Sequence, residues 1–508
     1  LAALERASQA AMVAWRGGEA LRAMGRRLLA EGGIPPVAPP ESFRAQLRPY
    51  QAEGLAWLAF LREAGLGGIL ADDMGLGKTV QALALIAREK AEGRLDRPAL
   101  VVAPTSLMAN WRREAERFDP GLAVLVLHGL GRREHFDAIA QHDLVLTTYP
   151  LVARDQAVLG AQEWHLLVLD EAQTIKNPDA ATTQIIRSLA ARHRFCLSGT
   201  PLENNLAELW SLFSFACPGL LGERRTFARD WRTPIEKHGD AERGRLLARR
   251  IRPFLLRRTK EEVARDLPAK TEITEEVEMG EAQRALYESI RLAMHARVRE
   301  AIAAKGWERS RIVVLDALLK LRQACCDPRL LKLDHAAEAA SAKLERLEEL
   351  LEALVAEGRR VLVFSQFTAM LDLIKPRLAA AGIAHAELTG RTRKREAVLA
   401  RFEAGEVPVF LISLKAGGTG LNLTGADTVI LYDPWWNPAV EAQAIDRAHR
   451  IGQDKPVFVH RLVAARSIEE KMEALKARKS ALAEALFDHD GTPTSALTPA
   501  DIDALLEA

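Results

Sequence analysis

Two series of short apolar runs, each separated by amphipathic stretches, constrain the fold of this chain more than any other feature. The first series begins near residue 66 and comprises GLGGIL, PALVVA, AVLVLH, DLVLTT, HLLVLD and RFCLSGT. The second series begins with RRVLVFS near residue 359 and continues with VPVFLIS, TVILYD and VFVHRL. Runs of this length between helical stretches are typical of buried parallel strands joined by crossover helices. We therefore predict an α/β protein with two parallel-sheet lobes.

The length of the chain, 508 residues, also favours more than one domain, because a single hydrophobic core rarely organises so many residues. Between the two series the pattern is mainly helical and rich in arginine, which indicates inserted helices rather than a loose linker. The predicted segments are an N-terminal helical remnant and linker (1–40), a first lobe (41–235), helical insertions (236–345), a second lobe (346–487) and a C-terminal tail (488–508).

Composition and charge narrow the class of protein. Hydrophobic residues make up 48% and charged residues 27%, and no apolar stretch reaches the roughly 18 residues that span a bilayer. The chain begins at Leu1 without a basic and apolar leader, so we expect no secretion signal and a chain trimmed from a longer one. Four cysteines without a Cys-x-x-Cys pair favour a reduced, cytoplasmic compartment. The net charge of +2 means that any nucleic-acid contact must come from local basic patches.

A glycine-rich segment, ADDMGLGKTV, follows the apolar run GGIL and predicts a phosphate-binding loop. Gly75 and Gly77 would let main-chain N–H groups converge on phosphate oxygens, Lys78 would reach the β- and γ-phosphates, and Thr79 would ligate Mg²⁺. Asp72 occupies the position of the first glycine in the general Gly-x4-Gly-Lys-Ser/Thr pattern. The alternative is a glycine-rich helix start with a chance lysine.

A carboxylate pair ends the apolar run HLLVLD. Open parallel sheets place ligand chemistry at the carboxyl ends of their strands, so Asp170 and Glu171 are candidates for the reacting site. Asp170 would hold Mg²⁺ through water, and Glu171 would orient or deprotonate the attacking water. A charged strand end without a catalytic role is the alternative.

Further motifs identify a family. Together with MGLGKT and DEAQ, the segments LRPYQAEGLAWL, VVAPTSLMANW, LSGTPLENNLAELW, PFLLRRTKEEV, LRQACCDP, SLKAGGTGLNLTGADTVI and QAIDRAHRIGQ stand in the order of the Swi/Snf family. The chain from about Leu47 to Lys479 resembles these duplex-DNA translocases of helicase superfamily two. Even Asp72 agrees with the family's own variant of the phosphate loop.

The resemblance implies two RecA-like lobes with helical protrusions, and it implies ATP and Mg²⁺ as cofactors. On the first lobe, Gln51 would contact the adenine and Ser198, Gly199 and Thr200 would couple the ATP state to the grip on DNA. The implied nucleotide-binding residues are Gln51, Met74, Gly75, Leu76, Gly77, Lys78 and Thr79, and the implied metal ligands are Thr79 and Asp170. The implied catalytic residues are Lys78, Asp170, Glu171, Gln443, Arg447 and Arg450.

The second-lobe arginines also have an argument of their own. Phosphoryl transfer spreads negative charge, and an arginine from a separate element can raise its rate by roughly 10³ to 10⁵. Arg447 and Arg450 lie three positions apart, which predicts that they share one helical face. A solvated basic helix face is the alternative.

Candidate DNA contacts are small polar groups, main-chain amides and local cations, because tracking along a strand requires indifference to sequence. By resemblance they are Pro104, Thr105, Ser106, Asn110, Trp111, Thr147, Thr148, Ser365, Gln366, Lys415, Gly417, Gly418, Trp435 and Trp436, with Asn437 in the same loop. Structural packing is favoured over base stacking for the two loop tryptophans. Arg257, Arg258 and Lys260 either contact phosphate or solvate a helix, and His128, His385 and His460 lack metal-like partners.

The sequence thus predicts an ATP-dependent translocase on double-stranded DNA that remodels or displaces bound proteins. The expected partners are double-stranded DNA and a DNA-bound client such as a polymerase or a nucleoid protein. We expect a monomer of bacterial or archaeal type in the cytoplasm, associated with the nucleoid and not with a membrane. A strand-separating helicase and an ATP-gated DNA clamp with little turnover remain the alternatives.

Overall fold

The computed structural model describes residues 34–129, 131–199, 206–263, 267–331, 333, 339–417, 421–435, 438–474, 476 and 505. The chain divides into two compact units, Leu1–Arg265 and Asp266–Ala508. The boundary falls inside the segment 236–345, for which we predicted helical insertions, so this segment is shared between the units. The limits of the five predicted segments themselves stay a prediction. Most of the N-terminal remnant, and all of the tail except Leu505, lie outside the described residues.

The first unit is built on a parallel sheet. Its strands are β1 (Gly68–Leu70), β2 (Ala99–Ala103), β3 (Val124–Val126), β4 (Leu144–Thr148), β5 (Trp164–Asp170), β6 (Ala191–Leu197) and β7 (Leu255–Leu256). The spatial order is β3-β4-β2-β5-β6-β1-β7, and every neighbouring pair is parallel. Alternate residues of β2 point to opposite faces: Leu100 and Val102 join one apolar core, and Val101 joins the other. Burial on both faces explains why these strands are continuous apolar runs.

Helices cover both faces of this sheet. They are α1 (Pro49–Glu63), α2 (Lys78–Ala91), α3 (Met108–Phe118), α4 (Tyr149–Arg154), α5 (Gln156–Gly160), α6 (Ala181–Ser188), α7 (Leu206–Ala216), α8 (Arg224–Phe227), α9 (Thr233–His238), α10 (Ala241–Ile251) and α11 (Lys260–Val263). 3-10 segments lie at Thr105–Leu107, Gly131–Gln141, Ala172–Ile175 and Arg252–Phe254, and a π-helical turn lies at Ala228–Arg232.

The second unit repeats the plan with a second parallel sheet. Its strands are β8 (Lys270–Val277), β9 (Val361–Ser365), β10 (His385–Leu388), β11 (Val409–Ser413), β12 (Thr428–Leu431) and β13 (Val457–Ala464), in the order β10-β11-β9-β12-β13-β8. Its helices are α12 (Glu281–Lys305), α13 (Trp307–Cys326), α14 (Ala342–Ala356), α15 (Thr368–Ala380), α16 (Arg395–Glu403), α17 (Leu414–Gly417) and α18 (Pro438–Ile445), with a 3-10 turn at Pro328–Leu331. The predicted fold class, two parallel sheets with helices, is confirmed.

Two strands lie where the sequence pattern indicated helices. Leu255 and Leu256 were part of an apparently helical, arginine-rich run, but they form β7 beside β1. The main chain continues this pairing past the strand, since Ala71 N–H donates to the Leu256 carbonyl at 2.6 Å. Strand β8 similarly lies at the edge of the second sheet, beside β13. Edge positions explain the miss, because β8 exposes most of its side chains and lacks the apolar signature of a central strand.

Two further features bear on the expected class. All four cysteines are buried free thiols. Among the described helices, none combines the length and the apolar character that crossing a membrane requires.

Candidate nucleotide-binding site

The loop between β1 and α2 is shaped by two glycines in the left-handed region. Gly75 has φ 84° and Gly77, which caps the start of α2, has φ 78°. Residues with a side chain rarely adopt such angles. A Cβ placed on Gly77 would also lie 2.5 Å from Nε2 of Gln51. The loop therefore needs glycine at this position for both its conformation and its packing.

Lys78 is the first residue of α2 and its ammonium lies over the loop. Its Nζ donates to the carbonyl oxygens of Asp72 at 2.6 Å and Asp73 at 3.1 Å. Thr79 follows in the same first turn, where helix N–H groups have no partner within the helix. A cation, free N–H groups and the positive end of a helix converge here, which is the donor set that phosphate oxygens require. The predicted phosphate loop thus has the local structure that this role demands.

Helix α1 holds the loop from the other side. Tyr50 Oη and Gln51 Nε2 both donate to the Leu76 carbonyl, at 3.0 and 3.1 Å. Gln51 Oε1 accepts from the main-chain N–H of Arg48 at 3.0 Å, so both ends of its amide are engaged. The predicted contact of Gln51 with adenine stays a prediction. Its position against the loop is an additional role that the motif did not indicate.

Met74 and Leu76 complete the loop. Leu76 is fully buried, and Met74 is half-buried beside the end of β6. A Cβ on Gly199 would lie 2.7 Å from Cγ of Met74. Gly199 therefore lies against this loop and its coupling role stays a prediction, whereas Thr200 lies outside the described residues.

Asp170 ends β5 and is held by aromatic donors. The indole Nε1 of Trp111 donates to Asp170 Oδ2 at 2.8 Å, and Tyr149 Oη donates to the Asp170 carbonyl at 2.7 Å. Burial and the neighbouring charge of Glu171 raise the pKa of Asp170, while the Trp111 hydrogen bond and Lys78 oppose that shift. A buried carboxylate at a strand end is suited to a divalent cation, which would relieve its uncompensated charge.

Glu171 adopts a strained main-chain conformation, with φ 49°. Its Oε2 accepts from Gln173 Nε2 at 2.7 Å, and Gln173 Oε1 accepts from Ser198 Oγ at 2.9 Å. Strained residues cluster at functional sites because the surrounding structure must impose the conformation. The three side chains form a hydrogen-bonded relay between the end of β5 and the end of β6. Ser198 is thus linked to Glu171, its role in coupling stays a prediction, and Gln173 is a link that we did not predict.

Several predicted DNA contacts in the first unit are buried. Trp111 has no exposed surface, and its indole binds Asp170. Its side chain is therefore not accessible to a DNA strand in this structure. Thr147 and Thr148 are likewise buried at the end of β4. Thr105 is exposed, Pro104 and Asn110 are half-exposed, and Ser106 lies in the same 3-10 turn. The turn before α3 is thus the part of this set that can meet a ligand.

In the second unit, Ser365 is also buried: its Oγ donates to Asp433 Oδ1 at 2.5 Å, and the N–H of Gln366 lies 3.2 Å from Oδ2 of the same carboxylate. Trp435 is half-buried against the core, with the guanidinium of Arg322 5.8 Å from its ring centre and bonded to the Pro434 carbonyl. Packing, the alternative favoured for Trp435, is what the structure shows.

The predicted helical face of Arg447 and Arg450 is wrong. Helix α18 ends at Ile445, and the chain continues in turns. After Ile445 the N–H groups of Arg447 and Ala448 donate only three residues back, to the Ala444 and Ile445 carbonyls at 3.3 and 3.0 Å, and the Arg447 carbonyl accepts from the Leu423 N–H at 3.0 Å. The two guanidinium groups nevertheless meet, since each Nη1 reaches the Leu421 carbonyl, at 3.3 and 3.5 Å. Gln443 precedes them on α18 and is buried.

The remaining predicted residues are placed as follows. Lys415 and Gly417 lie in α17, directly after β11. Gly418, Trp436 and Asn437 lie outside the described residues. His128 is exposed, His385 Nδ1 lies 3.4 Å from the Ile383 carbonyl, and His460 Nδ1 lies 3.1 Å from Glu275 Oε1.

Arg258 is neither a phosphate contact nor a helix-surface residue, the two alternatives that the sequence left open. It is buried and paired with Asp72, 186 positions away. Nothing in the local sequence signals such a pairing. Lys260 begins α11, and Arg257 is half-buried.

These features define a class: a nucleotide-binding α/β protein with a phosphate loop and a buried acidic pair at the carboxyl ends of a parallel sheet. Comparison with known families is consistent with this class. The SNF2-related domain matches residues 50–330, more than half of the chain, and the helicase conserved C-terminal domain matches residues 342–452. The chain therefore belongs to the SNF2-related family of ATP-dependent helicase-like enzymes.

Individual relatives fit this assignment. YwqA of Bacillus subtilis, provisionally named as an ATP-dependent helicase/translocase, is 41% identical over 94% of this chain and 53% of its own length. The ISWI chromatin-remodeling complex ATPase ISW1 of Saccharomyces cerevisiae is 34% identical over 89% of this chain and 42% of its own length. The chain thus spans about half the length of these curated relatives. Among solved structures, the Sulfolobus solfataricus SWI2/SNF2 ATPase core in complex with dsDNA is 35% identical, covers 88% of this chain and 94% of that chain, and has a TM-score of 0.47.

Proposed function

We propose that this protein is a DNA-dependent ATPase that moves along double-stranded DNA and remodels or displaces proteins bound there, without separating the strands. The names of its relatives, a helicase/translocase and a chromatin-remodeling ATPase, support this function. We also propose that it acts as a monomer in the cytoplasm, on nucleoid DNA that carries a protein client.

The observation that carries the proposal is the hydrogen bond from Trp111 to Asp170. Trp111 lies in the first turns of α3, directly after the exposed turn around Thr105 that we predict to contact DNA. Asp170 is the predicted Mg²⁺ ligand, and the two side chains are 2.8 Å apart. A DNA strand that displaces the turn around Thr105 would move the Trp111 indole. The indole would in turn move the Asp170 carboxylate. Such a contact is what DNA-dependent hydrolysis requires.

The chemistry follows from the residues around the loop. Lys78 and the N–H groups at the start of α2 would bind the phosphates of ATP, and Thr79 and Asp170 would hold Mg²⁺, which neutralises phosphate charge when bound. Glu171 would orient the attacking water and accept its proton, and Gln173 fixes the direction of its carboxylate. Because transition-state charge must be stabilised, we assign Arg447 and Arg450 to that role.

The deciding experiment measures the steady-state ATPase rate without nucleic acid, with single-stranded DNA, with duplex DNA and with duplex RNA, using Glu171→Gln as the blank. We expect strong stimulation by duplex DNA alone. Equal stimulation by single strands would favour a strand-separating helicase, and absence of turnover under all four conditions would favour an ATP-gated clamp.

A second assay separates translocation from strand separation. A triplex-forming oligonucleotide bound to the duplex should be displaced in the presence of ATP, while a forked duplex of the same length stays paired. Unwinding of the fork would contradict the proposal.

A further inference from the structure

A buried ion pair lies at the beginning of the nucleotide loop. Asp72 has no exposed surface, and Arg258 is 7% exposed. Nε of Arg258 donates to Asp72 Oδ1 at 2.9 Å, and Nη2 donates to Oδ2 at 2.5 Å. Two parallel bonds of this kind fix both the distance and the orientation of a carboxylate. The arginine therefore determines where the first residue of the loop lies.

The same guanidinium also contacts both helices that flank the loop. Its Nη1 donates to the Tyr50 carbonyl of α1, and its Nη2 donates to Gln81 Oε1 of α2 at 3.0 Å. Gln81 in turn donates through Nε2 to Asp72 Oδ2 at 3.2 Å. The guanidinium carbon, Cζ, lies 5.3 Å from the centre of the Tyr50 ring. One side chain thus joins α1, α2 and the start of the loop.

Main-chain hydrogen bonds reinforce this arrangement on both sides of Asp72. The N–H of Asp73 donates to the Arg258 carbonyl at 3.0 Å, and the N–H of Lys260 donates to Asp73 Oδ2 at 3.1 Å. Lys78 Nζ donates to the carbonyls of the same two aspartates. The segment 255–260 and the predicted phosphate-binding lysine therefore both bind the same two residues.

We propose that Arg258 is a positioning residue of the nucleotide site, through which the segment 255–260 senses whether the phosphate loop holds a nucleotide. This inference rests on the proposed binding of ATP at Lys78. When phosphate draws the Lys78 ammonium away from the two carbonyls, Arg258 and its segment, together with Gln81, still hold Asp72 and Asp73 in place. The boundary between the two units follows at residues 265 and 266, so the chain that leads to the second unit begins in this segment.

A merely structural ion pair is the competing explanation, and the first unit offers a matched control. Arg132 and Asp155 form another buried, two-point pair: Nε donates to Oδ2 at 2.7 Å and Nη2 donates to Oδ1 at 2.8 Å. Arg132 is also 7% exposed. Its hydrogen bonds to described residues go to Asp155 and to the Gly129 carbonyl, and neither residue belongs to the nucleotide loop. Substitution by lysine keeps the charge of either pair but removes the planar fork.

The first test compares Arg258→Lys with Arg132→Lys. Both should lower the melting temperature, but only Arg258→Lys should weaken the binding of a fluorescent ATP analogue, by about tenfold, since a hydrogen bond to a charged group is worth roughly that factor. Unchanged affinity in Arg258→Lys would overturn the inference. If Arg258→Lys does not fold, Gln81→Met replaces it as the test, because Gln81 is the neutral partner of both Arg258 and Asp72. Gln81→Met should weaken binding of the ATP analogue about threefold. Parental affinity in this variant would overturn the inference.

The second test is amide hydrogen exchange with and without a non-hydrolysable ATP analogue. Exchange at Lys260 should slow about tenfold with nucleotide in the parent and in Arg132→Lys, and this response should disappear in Arg258→Lys. A parent that binds the analogue without any change at Lys260 would contradict the sensing role alone. A parent that binds no ATP analogue would overturn the proposed function, and this inference with it.

Discussion

The indole N–H of Trp111 donates to Oδ2 of Asp170 across 2.8 Å, and the two side chains are 0% and 6% exposed. The residues are 59 positions apart, and they lie on α3 and at the end of β5. A buried indole is a donor without acceptor capacity, so it stabilises the ionised form of the carboxylate. Ionised carboxylate is the form that ligates a metal. The relationship therefore joins an exposed turn to the predicted metal ligand.

We expect Trp111→Phe to raise the Mg²⁺ concentration for half-maximal ATPase activity by about tenfold, because outer partners of metal ligands commonly contribute that much to metal affinity. The control is Trp164→Phe. Trp164 is equally buried and donates to the Leu159 carbonyl at 3.1 Å. Both variants should lose stability, whereas only Trp111→Phe should change the Mg²⁺ titration. Equal titrations in the two variants would refute a role for the indole at the metal.

The relay from Glu171 through Gln173 to Ser198 predicts a different pattern. Gln173→Ala should lower the maximal ATPase rate by about tenfold without weakening nucleotide binding, because a general base loses its orientation while the phosphate loop is intact. Ser198→Ala should reduce the ratio of DNA-stimulated to unstimulated rate. Ser211→Ala is the control, since its buried Oγ donates only to the Ile175 carbonyl among the described contacts. Loss of nucleotide affinity in Gln173→Ala would argue against the relay.

Hydrolysis should depend on the arginines of the second unit. We expect Arg450→Ala to lower the ATPase rate by about 10³, the smaller end of the effect of a charge-stabilising arginine. The exposed residue Arg401, which pairs with Glu406 at 3.2 Å, provides the control variant Arg401→Ala. If Arg450→Ala hydrolysed ATP at the parental rate, Arg450 would have no role in hydrolysis.

The sequence predicted the two parallel sheets because strands that are buried on both faces consist of continuous apolar runs. It predicted the phosphate loop because the positive φ of Gly75 and Gly77 requires glycine. The edge strands β7 and β8 were not predicted. Strand β7 has only two residues, and β8 exposes most of its side chains, so neither forms a continuous apolar run. The turns at Arg447 were not predicted, because the hydrogen bond that accompanies them joins Arg447 to Leu423, which is distant in sequence.

The contacts of Trp111 and Arg258 were not predicted from the sequence for another reason. Each acts through a partner 59 or 186 positions away, Asp170 and Asp72 respectively. A motif shows which residue types occur together, but not which side chains are buried against each other. A tryptophan in a DNA-contacting motif and an arginine in a basic run both look like surface ligands until their burial is known.

The left-handed conformation of Glu171 leads to a final prediction. A non-glycine residue at φ 49° is destabilised by roughly 1–2 kcal/mol unless its side chain, like that of asparagine, bonds locally to the main chain. Glu171→Asn should therefore be more stable than Glu171→Gln by about 0.5–1 kcal/mol in urea unfolding, although both are inactive.

Both variants should also bind ATP as the parent does, because the loop around Lys78 is unchanged. Lys78→Ala supplies the contrast: it should lose nucleotide affinity, since its ammonium is the cation that reaches the phosphates. If Glu171→Asn proved less stable than Glu171→Gln, the strain would not lie in the main chain at this position. If it proved more stable, the native glutamate would be retained at the expense of stability, as expected where a carboxylate is needed for water activation.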